Sequence, residues 1–157
     1  MATTVGVWEA AAAVLPATNP AQAKWTSGTN FPWYSLAFDQ TTAEKAYFIG
    51  IVPQAYAEGN ITVRLWWTSA VTGNVVWGAK YLRRIDDDVL DAALSAQTTV
   101  TDGVTAANDI MEASISIATP TIDAGSFLIL EIERVAANAA DTAAGDALLL
   151  AVEIRET

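Results

Sequence analysis

The chain has 157 residues, of which 52% are hydrophobic and 17% charged, enough apolar surface for one compact domain and too much for a disordered chain. It contains no cysteine and no histidine, which excludes disulfide staples, thiolate nucleophiles, imidazole metal sites and Ser-His-Asp catalysis. Eighteen acids against eight bases give a formal charge of -10, which argues against a sequence-independent grip on nucleic-acid phosphates.

Period-two alternation recurs along the chain and predicts strands. The first falls at Thr3 to Glu9, a segment with no basic residue ahead of its apolar stretch and therefore unlike a signal peptide. Ala10 to Leu15 is apolar but far shorter than the roughly 20 residues that cross a bilayer. Strands are then expected at Phe31 to Asp39 and Lys45 to Val52, the latter ended by Pro53, which cannot donate to a ladder. Asn60 to Thr68 places Ile61, Val63, Leu65 and Trp67 on one side and Thr62, Arg64, Trp66 and Thr68 on the other. Gly59-Asn60 and Gly73-Asn74 precede strands and suit the positive φ of tight turns. Asn74 to Arg83 is apolar on both faces, with Val75, Trp77, Ala79 and Tyr81 on one parity and Val76, Gly78, Lys80 and Leu82 on the other. A helix is expected at Val89 to Ala96, capped by Asp86 to Asp88. Further strands are expected at Thr98 to Thr101, Ile110 to Ala118, Phe127 to Val135 and Leu148 to Arg155, with an alanine-rich polar loop or a short helical turn at Ala136 to Gly145.

About eight or nine short strands with one short helix read as an all-β antiparallel sandwich. The long connections at Ala10 to Asn30 and Arg84 to Gln97 favour a jelly roll of about eight strands over an immunoglobulin type. Residues 1–30 are expected to form an N-terminal arm or extended segment, and 31–157 the sandwich domain.

No motif announces a reaction. Asp86, Asp87, Asp88 and Asp91 do not match a calcium loop, because the sixth position holds Asp91 where glycine is needed and the twelfth holds Gln97; capping or solvation is the expected role of the run, with adventitious or structural calcium the alternative. Arg83-Arg84, running into those aspartates, reads as local charge balance rather than a nucleic-acid groove. Glu131 and Glu133 share a strand face, ~7 Å apart by strand rise, a spacing open to acid-pair glycoside hydrolysis but ordinary for outward glutamates. Arg134 and Arg155 are candidate ion-pair partners for them. No metal, cofactor or catalytic residue is expected.

Six tryptophans are the unusual feature. Two-sided apolarity in an antiparallel sheet needs a second cover, which leaves three readings: long loops over a larger core, a homo-oligomer interface, or a platform on which sugar rings stack. The interface or stacking candidates are Trp8, Trp25, Trp33, Arg64, Trp66 and Trp77.

The run Tyr47-Phe48-Ile49-Gly50-Ile51-Val52-Pro53, then Glu58-Gly59-Asn60-Ile61-Thr62-Val63 and Leu65-Trp66-Trp67-Thr68, continues into Thr72-Gly73-Asn74-Val75-Val76-Trp77-Gly78. With Gln97-Thr98-Thr99-Val100-Thr101-Asp102 and Ala147 to Ile154, it resembles small jelly-roll virion structural proteins of tailed bacteriophages, over about Phe31 to Thr157. The resemblance implies a non-enzymatic decoration or fibre subunit, made in the host cytoplasm and carried on the virion. It would bind itself as a homotrimer and other virion proteins such as the major capsid protein, with no nucleic acid or membrane partner. The alternative is a carbohydrate- or receptor-binding module that touches a host glycan.

Overall fold

The computed structural model describes residues 2–157. In chain order the strands are β1 (Thr4–Glu9), β2 (Gln22–Ser27), β3 (Pro32–Phe38), β4 (Lys45–Ile51) and β5 (Ile61–Thr68), then β6 (Gly73–Arg84), β7 (Thr98–Val104), β8 (Met111–Ile117), β9 (Phe127–Arg134) and β10 (Ala147–Glu156). They form two antiparallel sheets packed as a jelly-roll sandwich. One has six strands in the order β2-β3-β10-β5-β8, with β1 also on β10; the other runs β4-β9-β6-β7. A 3-10 turn at Ala10–Ala12 is the one helical element among the described residues, and no helix there is long and apolar enough to cross a membrane.

The alternation expected from sequence builds the core. Ile61, Val63, Leu65 and Trp67 of β5 face Leu128, Leu130 and Ile132 of β9 and Val75, Trp77 and Ala79 of β6, all buried. Phe38 and Trp67 meet Trp77 edge-on, with ring centroids 5.1 and 5.7 Å away. Strand β10 lies at the centre of its sheet and serves two neighbours along one edge. Leu149 pairs with Leu36 of β3, while Ala151 to Arg155 pair with β1. The hand-over falls at Leu150, where the register against β5 shifts between Leu149 and Ala151 as at a β-bulge. Of the N-terminal segment, β1 and β2 both lie in the six-stranded sheet of their own chain.

Three local expectations change. Val89 to Ala96 is not helical but part of the loop between β6 and β7. Val89 and Leu90 are 75% and 61% exposed, so no apolar face is buried to stabilise so short a helix. Asp88 turns back instead, accepting the Ile85 amide at 3.0 Å and lying 3.8 and 3.7 Å from Arg83 and Arg84, the local balance expected there. Strand β2 was not legible as a strand; it forms because its six residues pair one by one with Pro32 to Ala37. Of the two expected glycine turns, Gly73 has φ 128°, but ahead of β5 the positive φ falls on Glu58 rather than Gly59.

Arg134 is fully buried at the end of the core. It does not pair with Glu131 or Glu133, because strand parity sends it inward while they point outward. Its Nε and Nη2 donate to the two Asp141 carboxylate oxygens at 3.0 and 2.7 Å. Nη1 reaches the carbonyls of Phe38 and Gly145, and Nη2 that of Ala143. One guanidinium thus ties β3, β9 and the 135–146 loop together.

Candidate functional site

The outer face of the six-stranded sheet collects the polar and aromatic side chains that alternation turns away from the core. On β5 these are Thr62, Arg64 and Trp66. Across the register Arg64 sits between Ser114 of β8 and Glu153 of β10, and Trp66 between Glu112 and Ala151. The Arg64 guanidinium is clamped: Nε and Nη2 donate to the two Glu112 oxygens at 2.8 and 2.6 Å, and Nη1 to Glu153 at 2.6 Å. Its central carbon lies 5.3 Å from the centroid of the Trp66 ring, within cation–π range. Ser114 also donates to Glu112, at 3.1 Å. Small Ala151 beside Trp66 leaves the indole half-exposed, with its orientation held by Arg64.

Two hollows open on this face. One, of about 500 Å³, includes Thr62, Arg64, Ser114 and Arg155 in its walls. The other, of about 290 Å³, is lined by Glu9, Trp33, Tyr34 and Leu150, beside the β10 bulge. The register places Trp66 next to that bulge on the neighbouring strand, so Trp66 stands between the two. Volumes of this order suit a small-molecule or oligomeric ligand. Trp33 is half-buried on the outward parity of β3, its ring 6.0 Å from that of Phe31, and its Nε1 has no hydrogen-bond partner among the described residues.

The bond to Arg64 holds the Glu112 carboxyl below the ordinary value, and the two carboxylates raise that of Arg64 further. The clamp is therefore present above the ordinary glutamate value of 4.5 and is lost as pH falls through the lowered one. The Nε–H resonance of Arg64 is expected to stay protected from exchange across the neutral range and to vanish only below the ordinary glutamate value of 4.5, checked by proton–nitrogen NMR.

The other sequence candidates separate. Trp77 is fully buried and belongs to the core, where Trp67 and Phe38 meet it edge-on, and on the opposite face of its strand the Gln97 side chain of the β6–β7 loop lies over Gly78. Trp8 points between the sheets, tilted against Phe48, and donates to the Ile49 carbonyl at 3.0 Å. A Cβ at Gly50 would lie 2.9 Å from its ring, so glycine there makes room for the indole. Trp25, on β2, is 67% exposed and lies apart from the Trp66 platform.

On the outer face of the four-stranded sheet, Glu131 and Glu133 share one side of β9 as expected, but both are buried. Glu131 accepts the Tyr47 hydroxyl at 2.6 Å and lies 3.2 Å from Lys80 and 3.8 Å from Lys45, which also stands 3.5 Å from Glu133. Burial, and then the bond to Glu131, push the Tyr47 hydroxyl up to about 12. The partners expected for this pair, Arg134 and Arg155, are engaged with Asp141 and Glu153 instead. The arrangement is a packed charge network. Sequence reasoning missed its lysines because they come from two other strands, β4 and β6. Among the described residues no group of three or more acidic side chains is arranged to hold a metal ion.

Comparison with solved structures finds three that are similar to this chain. The CBM36-1 domain of a multidomain xylanase from the hindgut metagenome of Trinervitermes trinervoides matches 98% of this chain and 96% of its own, at 12% identity and a TM-score of 0.51. The family 11 carbohydrate-binding module from Clostridium thermocellum, in complex with a β-1,3-1,4-mixed-linked tetrasaccharide, covers 95% of this chain and 86% of its own, at 8% identity and a TM-score of 0.44. The enzymatically active domain of bacteriophage CBA120 tailspike protein 4 covers 96% of this chain but 19% of its own, at 9% identity and a TM-score of 0.41. No family model and no curated protein sequence matches. The chain therefore has the β-sandwich fold of the xylanase domain, and at 12% identity that likeness establishes fold alone.

Proposed function

We propose that this protein is a non-catalytic glycan-binding β-sandwich that holds sugar rings on the outer face of its six-stranded sheet. The observation that carries this reading is Trp66, half-exposed, oriented by a clamped arginine, and standing between two hollows. An indole offers a flat apolar surface to the C–H face of a pyranose at little cost in side-chain entropy. The surrounding Glu112, Glu153, Ser114 and Arg155 supply acceptors and donors for ring hydroxyls, and Trp33 extends the aromatic surface beyond Leu150. The fold shared with a domain named as a carbohydrate-binding module supports the same reading.

Trp66→Ala is expected to weaken oligosaccharide binding about thirty-fold, the equivalent of about 2 kcal/mol for a central aromatic anchor. Titration calorimetry against xylo-, cello-, manno- and galacto-oligosaccharides checks it. Absence of binding to the whole panel, or an unchanged affinity in the variant, would overturn the reading.

The second reading is a structural component of a phage particle, made in the host cytoplasm and assembled as a homotrimer on the major capsid protein. What favours it is the exposed apolar surface away from the Trp66 face, at Trp25, Ile51 and Val89. Mass spectrometry of purified virions that failed to find the chain would remove it.

A further inference from the structure

The edges of the two sheets are treated unequally. The outer edge of β4 is occupied by its own chain: Val14 and Tyr47 exchange amide–carbonyl bonds at 2.8 and 2.9 Å, and Ala21 donates to Lys45 at 2.9 Å. Strands β7 and β8, at the ends of their sheets, lie against each other across the side of the sandwich. Strand β2 pairs with β3 on one side and, among the described residues, with no strand on the other. Five of its six residues are exposed and the other is half-buried. An unpaired row of amides and carbonyls of that length is a template for another strand, and natural proteins guard such edges with charge, proline or a covering loop. Here the guard is one residue, Lys24.

The charge distribution says which strand is tolerated. Residues 10–38 contain no acid, although the chain carries eighteen acids and a net charge of -10. Two copies of so acidic a molecule repel over most of their surface, and this segment is the stretch where like charge does not oppose their approach. Its most exposed large side chains are Trp25 on β2 and Phe31 just ahead of β3, at 67% and 66%.

We infer that β2 pairs antiparallel with β2 of a second copy, continuing the six-stranded sheet across a two-fold axis at Trp25. The register follows from side-chain parity. A two-fold perpendicular to the sheet keeps outer side chains outward, so residues of equal parity must face each other. Centring on Lys24 sets two ammonium groups opposite one another, and centring on Ala23 pairs few residues. Centring on Trp25 sets Lys24 against Thr26 and Ala23 against Ser27 of the other copy, and brings the two indoles together where each covers exposed apolar surface. This contact leaves the Trp66 face open and does not depend on glycan binding.

Sedimentation equilibrium of the full chain over a micromolar concentration series is expected to show reversible dimers, and Trp25→Glu to abolish them while circular dichroism stays unchanged. Because the chain has no cysteine, a single introduced thiol reports the register directly. Trp25→Cys is expected to form a disulfide-linked dimer on mild oxidation, whereas Gln22→Cys, which the register places beyond the paired residues, stays unlinked. A chain that remains monomeric throughout, a trimer, or equal cross-linking at both positions would overturn the inference.

Discussion

Replacing Arg134 with alanine is expected to destabilise the fold by about 3–5 kcal/mol, the range for breaking a buried charge pair by removing one partner. Arg134 is 0% exposed, and its five hydrogen bonds go to Asp141 and to the carbonyls of Phe38, Ala143 and Gly145. Deleting the guanidinium leaves the Asp141 side chain, itself 2% exposed, as an uncompensated buried carboxylate, with three carbonyls short of a donor. Asp141 also accepts the Val76 amide at 3.0 Å, so the damage spreads to β6. Arg134→Lys is not expected to rescue, because one ammonium cannot supply the planar fork that serves two carboxylate oxygens and three carbonyls at once. Guanidinium unfolding curves test this, with Asp141→Asn as a milder variant of the same network should Arg134→Ala fail to fold. A loss under about 1 kcal/mol in both variants would show that water serves these groups as well as the arginine does.

The second large effect is at Trp77. Truncation to alanine removes the ring on which Trp67 and Phe38 stand edge-on and is expected to cost about 3–5 kcal/mol through lost burial and the cavity left behind. The indole nitrogen adds nothing to that figure, since Nε1 of Trp77 is buried with no hydrogen-bond partner among the described residues. Trp77→Phe is therefore expected to cost much less than truncation, because it removes an unpaired donor while retaining an aromatic ring. Trp67 makes the opposite case. Its Nε1 donates to Asp102 at 2.8 Å, so Trp67→Phe strands a carboxylate and is expected to cost about 1–3 kcal/mol beyond the lost volume. Denaturant midpoints for the three variants compare the two indoles directly. Equal losses for the two phenylalanine substitutions would refute the assignment.

The Trp66 platform was partly legible. Alternation along β5 already separated outward Trp66 and Arg64 from inward Trp67, because strand parity is a local property of the backbone. What holds the platform was not legible, since Arg64 meets its two carboxylates 48 and 89 residues away in sequence. Trp77 shows the limit from the other side. Its strand is apolar on both parities, so the pattern named no inner face, and the choice was made by which face met Trp67 and which lay under Gln97 of the β6–β7 loop.

The order of residues alone determined that this chain would be a sandwich of short antiparallel strands, and where nearly every strand would run, because period-two hydrophobicity and turn residues act within a few positions. Tertiary contact alone decided that β2 is a strand, that Val89 to Ala96 is not a helix, that Arg134 is a buried tie rather than a surface partner of the glutamates, and which indoles reach solvent. Each of those depends on the free energy of a pairing between distant segments, and strand periodicity carries no record of which segment lies opposite.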